Sequence, residues 1–465
     1  MKITPAGIRW LDDDEHRVLR CAGCGVTGPQ RPLLTVPSMA PPNTLLTLAR
    51  CPRCGTCNYD PPGIADFADI GQARDDFWRF YVEVGGGVWE TIWPVRAERT
   101  PGRRTLLDVG CGFGFAVDFW RRSVGGEAVG VELADYGQIG ARALDVTVYD
   151  QLLQDCAPLA GRTFDVVYAS EVIEHVPDPR AFVALLARYV APAGVLVLTT
   201  PAAEYVTPAS HLPTVHAALA PGFHGFLLSA QAFADTARRS GFAHVDARVF
   251  GERQMLWASR APLDVDPSPV PMLPEIHSYL EGRLAILDPP SPVWQGLAYR
   301  YVKELVNSAR FDEAKAIAAR LVRAIEGTYG SAITDPAAVV ARLERCSELA
   351  EAGRVMPYFL PNLYFFLGAL AQHADRDAAR ANDFYAGSVA STLELARFGS
   401  VFILEALSLL WEARARIAEL ALAQGDLAGG AALFARLARE GGECTEDNGF
   451  AQASQDLLEA TIPRL

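Results

Sequence analysis

Two Cys-x-x-Cys pairs, Cys21-Ala-Gly-Cys24 and Cys51-Pro-Arg-Cys54, stand 26 residues apart. Four thiolates suit a tetrahedral zinc ion, and each short turn points two sulfurs at one metal. Gly25 and Gly55 follow the pairs directly and permit the tight turn of a metal knuckle. The intervening segment carries Pro29, Pro32, Pro37, Pro41 and Pro42 and too few apolar residues to fold without a staple. Disulfides would need an oxidising compartment, and a redox motif would not recur at this spacing. The pairs predict a structural zinc ribbon held by Cys21, Cys24, Cys51 and Cys54. Cys57 is a spare thiol that could replace a ligand, though its spacing from Cys54 suits the role less well, and Cys111, Cys156, Cys346 and Cys444 read as bystanders.

A second pattern has nucleotide chemistry. Thr105-Leu-Leu-Asp-Val-Gly110 reads as a buried strand, Gly110-Cys-Gly112-Phe-Gly114 as a turn, and Phe115–Arg122 as a helix. Such a turn brings backbone amides close to a ligand. A dinucleotide site wants G-x-G-x-x-G, but the third position falls on Phe115, or on Val117 in the shifted register. Eighteen residues past Gly114, the strand Glu127-Ala-Val-Gly-Val-Glu132 ends in an acid. A carboxylate there can accept from both hydroxyls of a ribose.

The Asp-x-Gly-x-Gly-x-Gly turn resembles motif I of class I S-adenosylmethionine-dependent methyltransferases. The next elements keep that family's order: Asp145–Asp150, Phe164–Ser170, a helix at Pro179–Tyr189, the strand Gly194–Thr200, and Leu228–Phe242 before a closing hairpin. Glu171-Val-Ile-Glu174-His175-Val-Pro-Asp178 resembles the segment after strand four in its small-molecule branch. The resemblance implies an α/β, doubly wound Rossmann-like core, with the ligand at the carboxyl ends of its strands. It implies that Asp108, Gly110, Gly112, Gly114, Glu132, Asp150, Ser170 and Glu171 hold S-adenosyl-L-methionine. Asp165 opens strand four, where a loop hydrogen bond is one reading of it.

Methyl transfer from a sulfonium asks the protein to position the acceptor and, for a hydroxyl, to take its proton. His175 leads as that base because imidazole titrates near neutrality, and His224 stands second. His211, His216 and His224 lie in Pro201–Phe226, which reads as a substrate loop. His211 and His216 have no nearby carboxylate, so no second metal is expected there.

These units must be positioned by the rest of the chain. Its apparent organisation is a ribbon at 1–62, a helical connector or lid at 63–102, the methyltransferase domain at 103–262, a proline-rich linker at 263–274 and an all-α domain at 275–465. In the connector, Phe67, Ile70, Phe77, Phe80 and Tyr81 suggest an amphipathic helix around 71–84, before Gly85–Gly87, Trp89, Ile92 and Trp93. Helix–turn–helix segments near Val302, Leu363 and Ile417 look like degenerate tetratricopeptide hairpins, with a generic bundle as the alternative. Such a tail is a surface for self-association or a protein partner.

Composition narrows the rest. Half of the 465 residues are apolar and 21% charged, which excludes a disordered chain. The longest apolar stretch, Phe359–Ala371, contains Pro361 and Asn362 and is too short to span a membrane. The start of the chain lacks an apolar signal core, so a cytoplasmic location is expected. A net charge of −13, with 11 basic against 12 acidic residues in the first hundred, disfavours nucleic acid as partner. Ribbon, core and tail together resemble methyltransferases of bacterial surface-glycan biosynthesis. That resemblance implies a small-molecule or glycan acceptor methylated on a sugar hydroxyl. The alternatives are sugar C-methylation, RNA methylation and a non-catalytic scaffold.

Overall fold

The computed structural model describes residues 7–12, 15–40, 44–62, 77–80, 82–83, 88–268, 272–399 and 403–441. Phe67, Ile70, Tyr81, the Gly85–Gly87 run and Cys444 lie outside them. The chain divides into two compact units. One comprises Lys2–Trp78 and Gly86–Tyr279, the other Arg79–Gly85 and Leu280–Leu465 with Met1.

The first unit holds two sheets. Its strands are β1 (Arg9–Trp10), β2 (Arg17–Arg20), β3 (Thr27–Pro37), β4 (Leu45–Arg50), β5 (Cys57–Asp60), β6 (Thr105–Val109), β7 (Glu127–Val131), β8 (Val148–Tyr149), β9 (Phe164–Ser170), β10 (Val190–Pro201), β11 (Phe226–Leu227), β12 (His244–Phe250) and β13 (Arg253–Ser259). The larger sheet runs β12-β13-β10-β9-β6-β7-β8. Its β8, β7, β6, β9 and β10 are parallel, and β13 lies antiparallel to β10 and β12. The central strands are buried on both faces, which is why Thr105–Val109 and Phe164–Ser170 read as largely apolar runs and not as alternating ones. The order reverses between β6 and β9, and in such sheets ligands bind at that switch point.

The smaller sheet is built from the ribbon and from the core. β1, β3, β4 and β5 pair in turn, β2 pairs with β3, and the last position is taken by β11. Phe226 pairs with Asn58 and Leu227 with Cys57. Leu34, Val36, Leu46, Leu48 and Tyr59 are buried against Ala203, Val206, Val215, Leu219 and Leu227. Burying side chains of this size contributes about 1.5–3 kcal/mol each. The segment Pro201–Phe226 is therefore not the open loop its prolines and histidines suggest. It folds as a turn at Ala203–Tyr205, a helix at Leu212–Leu219 and the start of β11, and closes the ribbon's apolar face.

Several boundaries move. The helix after the glycine turn is α-helical only over Phe115–Phe119 and widens to a π-turn at Trp120–Val124. The third strand shrinks to Val148–Tyr149, since Asp145 takes a left-handed φ of 56° and ends the preceding helix. The connector has parts in both units. Trp78 stacks on Phe113 of the glycine turn, and Trp257 donates to the carbonyl of Pro94 in the helix Val88–Arg96. Arg79 belongs to the other unit, where it pairs with Glu83 and donates to the carbonyl of Gly353 at 2.6 Å.

The second unit is helical. Pro292–Asn307 packs on Phe311–Tyr329, Leu360–Leu370 on Ala378–Ala396, and Leu404–Ala423 on Leu427–Gly441. Small residues set the approach: a Cβ on Gly368 would lie 2.7 Å from the Tyr385 ring, and one on Gly430 2.4 Å from Leu422. Tyr299 stacks on Phe359 with ring centroids 4.9 Å apart. Among the described residues, no helix is long and apolar enough to cross a membrane.

Candidate active site

The glycine turn leaves β6 at the switch point. Gly110, Gly112 and Gly114 take φ of 72°, 56° and 90°, a region that costs other residues roughly 1–2 kcal/mol. Space is also short, because a Cβ on Gly110 would sit 2.5 Å from Val172 Cγ2. Gly110→Ala is expected to destabilise the unit by about 2 kcal/mol or more, a fall of several degrees in Tm by thermal denaturation.

The carboxylates beside the turn are held differently. Glu132 Oε2 accepts from Gly112 N–H at 3.0 Å and Oε1 from Ala134 N–H at 2.9 Å. Burial raises its pKa, and those amides oppose the shift. Asp108 is buried, and its Oδ2 has no hydrogen-bond partner. Burial, then the charge of Glu132, pushes its carboxyl up to about 8. An unpartnered buried carboxylate oxygen beside three positive-φ glycines is the environment a cationic, amine-bearing ligand satisfies. Asp150 lies exposed just beyond β8.

Ser170 and Glu171 leave β9 beside Thr199 of β10. Ser170 Oγ lies 2.8 Å from Thr199 Oγ1, whose hydroxyl reaches Glu171 Oε1 at 2.8 Å. Glu171 also pairs with Arg253 at 3.3 Å and holds a left-handed φ of 55°. Asp165 stands at the other end of the sheet, where its Oδ2 accepts from the amides of Arg104 and Thr105 at 2.7 and 2.9 Å. Its bonds are those of a strand-start loop.

The histidines separate into two groups. His211 Nδ1 meets Thr214 Oγ1 at 2.9 Å, and His216 is buried in the helix below the ribbon. His175 and His224 come together, with ring centroids 4.7 Å apart. His175 Nδ1 faces the carbonyl of Phe223 at 3.0 Å, and His224 Nδ1 faces that of Ala218 at 2.8 Å. The expectation that His175 titrates near neutrality is corrected: burial brings it down to about 4. Burial and then its neighbour His175 bring His224 to about 3. Both imidazoles are neutral at physiological pH.

Glu174 was not singled out from the sequence, yet it completes this group. It is fully buried, its Oε2 accepts from Thr200 Oγ1 at 3.0 Å, and its Oε1 stands 4.0 Å from His224 Nε2. Its backbone carbonyl accepts from Gly225 N–H at 2.9 Å, which ties the strand-four exit to the inserted segment. The Glu-x-x-Glu-His spacing carried that signal, since a single turn after β9 presents both acids near the strand end.

The four ribbon cysteines converge as well. Their sulfurs lie within 4.8 Å of one another, with Cys21–Cys54 at 3.5 Å and Cys24–Cys51 at 3.8 Å. A tetrahedron with zinc–sulfur bonds of about 2.3 Å has edges of roughly 3.8 Å, so the donor set fits zinc. The hydrogen bond from Cys21 lowers the pKa of Cys54, favouring its thiolate.

A family model described as "Methyltransferase domain" matches residues 89–247. That segment is a class I methyltransferase domain. An "uncharacterized methyltransferase" of Mycobacterium sp. (strain KMS) is 39% identical over 116 residues, 23% of this chain and 43% of that protein. The ubiquinone biosynthesis O-methyltransferase of Neisseria meningitidis serogroup A is 30% identical over 158 residues, 31% of this chain and 63% of its own. The chain thus spans less than two thirds of the curated relatives it matches. An O-methyltransferase family protein from Burkholderia thailandensis is similar in structure, at 22% identity and a TM-score of 0.35, over 42% of this chain and 61% of that one.

Proposed function

We propose that the chain is an S-adenosylmethionine-dependent O-methyltransferase whose acceptor is a sugar or glycan hydroxyl. The observation that carries the cofactor reading is the orphaned Asp108 oxygen beside the positive-φ turn and the anchored Glu132, within a matched methyltransferase domain. S-adenosylmethionine supplies an activated methyl group on a sulfonium. Asp108 and the turn amides would hold its amino-acid end, Glu132 its ribose, Asp150 its adenine edge, and Ser170 and Glu171 would border the methionyl end.

Oxygen as the acceptor atom is supported by the name of the Neisseria relative and by His175 at the strand-four exit. His175 Nδ1 faces a carbonyl oxygen, which can only accept, so that nitrogen carries the proton and Nε2 is the basic nitrogen of the ring. The sugar class is supported by the ribbon–core–tail resemblance and by the acidic chain, which lacks an RNA platform. The four-cysteine cluster is proposed as a structural zinc site.

The test incubates the protein with labelled methyl donor and nucleotide-sugars, glycan extracts or RNA. Label in a sugar ether is the expected result; label only in RNA, or in none, overturns the reading. His175→Ala is expected to lower kcat at least tenfold while S-adenosylhomocysteine affinity stays within about twofold. Unchanged turnover would remove the base assignment.

A further inference from the structure

We propose that the cavity at the amino end of β6 is a second ligand site, which takes a small organic molecule carrying phosphate. It measures about 440 Å³, within the range of sites for organic ligands of ordinary size. Its walls come from the end of the helix Val88–Arg96 and the chain leading to β6, from the π-turn Trp120–Val124, from β9, and from Met272 and Glu275. All of these belong to the first unit. β6 is five residues long, about 16 Å at 3.3 Å per residue, and the glycine turn leaves its other end. A molecule held in the cavity is therefore a second ligand, out of reach of the cofactor turn.

The wall is basic in an acidic chain. Arg96, Arg99, Arg103 and Arg104 line it against Glu98 and Glu275, whereas the whole chain carries −13. A local excess of one sign in a concave site attracts the opposite charge. The four guanidiniums are engaged to different degrees. Arg103 is spent within the fold, since it pairs with buried Glu98 and donates to the carbonyl of Ala193 at 2.9 Å. Arg96 gives Nε to Glu275 at 3.0 Å, and Arg99 gives one Nη to Asp266 at 2.8 Å. Among the described residues, the Arg104 side chain meets no carboxylate, and its Nη1 reaches the carbonyl of Val124 at 3.3 Å. Counting Asp266, four positive charges face three negative ones, and the surplus sits on Arg104. Arg96, Arg99 and Arg104 each keep N–H groups for a ligand, and a guanidinium fork matches two phosphate oxygens at once.

The rest of the wall favours an organic phosphate over the free ion. Val95, Trp120, Val166 and Met272 border the cavity and are otherwise buried in the fold. Apolar surface of this kind is covered by a base or another carbon-bearing group, not by phosphate alone. Trp120 and Val124 come from the π-turn, a widening that is rare in helices and frequent at functional sites. Trp120 Nε1 donates to the carbonyl of Arg104 at 3.2 Å, which fixes the indole edge beside the backbone of the residue that carries the surplus charge.

The probe is uridine diphosphate, titrated by calorimetry into the full chain saturated with S-adenosylhomocysteine. One equivalent is expected to bind, with an affinity that falls as salt is raised. Arg99→Ala and Arg104→Ala should each weaken it at least about tenfold, because each removes a charge-assisted contact to phosphate. Neither side chain supports the fold. Arg99 makes one partly exposed ion pair, and Arg104 makes one long hydrogen bond. An S-adenosylhomocysteine affinity within about twofold of wild type shows that each variant is intact. Inorganic pyrophosphate should bind at least about tenfold more weakly than uridine diphosphate, since it leaves the apolar wall uncovered. Equal affinity for the two probes overturns the assignment to an organic phosphate. Absence of uridine diphosphate binding by the wild type, or binding that both intact variants leave unchanged, overturns the site itself.

Discussion

Glu132→Ala is expected to weaken S-adenosylmethionine binding by two to four orders of magnitude. The carboxylate accepts from the amides of Gly112 and Ala134, so one side chain at the end of β7 fixes the middle of the glycine turn. Each oxygen keeps a further lone pair for a ribose hydroxyl. Losing two charge-assisted hydrogen bonds to ligand costs about 3–6 kcal/mol, and each 1.4 kcal/mol is a factor of ten in Kd. Calorimetry with S-adenosylhomocysteine measures this directly. Glu132→Gln retains one acceptor oxygen and its contact geometry, so it should fall between wild type and Ala. A Glu132→Ala variant that bound within tenfold of wild type would remove Glu132 from the cofactor site.

The core was legible because its signals are local. Asp108, the three glycines and the acid ending the next strand lie within a short stretch, and each carries a backbone or side-chain requirement visible in residue type. The alternation of strand and helix then follows from apolar runs of the right length. The region around His175 was only half legible. His175 itself stood out, but its pairing with His224 depends on Gly225 bonding to Glu174 across a long chain separation. No periodicity encodes that contact. Its titration was misjudged for the same reason, since burial is a property of the assembled site and not of the residue. Pro201–Phe226 misled because Pro208, Pro213 and Pro221 mark loops, while Val215 and Leu219, four apart on one helix face, carried the weaker sign of a buried element. Helical hairpins in the tail could be read from small residues and their spacing. Their helix lengths could not.

Zinc removal is expected to lower the Tm of the first unit by about 10 °C or more and to abolish turnover before it affects cofactor affinity. The ribbon is part of the core it adjoins. Cys21, Cys51 and Cys54 share one buried cluster with Val183, Phe226, Leu228, Ala232 and Phe233. Arg180 donates to the carbonyl of Gly23 at 2.8 Å, and Ser229 Oγ donates to that of Cys54. Structural zinc contributes on the order of 10 kcal/mol in small ribbons. If half of that is realised here, a unit of this size loses roughly 10–20 °C, at 2–4 °C per kcal/mol. The damage should spread along a particular route. Phe226 and Leu227 are held by Asn58 and Cys57 of the ribbon, and His224 is two residues upstream. Glu132 and the glycine turn have no ribbon partner among their described hydrogen bonds. Cys54→Ser, or chelation with metal content followed by mass spectrometry, should therefore cut methyl transfer far more than S-adenosylhomocysteine binding. Equal loss of both would mean that the whole unit unfolds with the ribbon. An unchanged Tm in a zinc-free sample would show that the four thiols hold no structural metal.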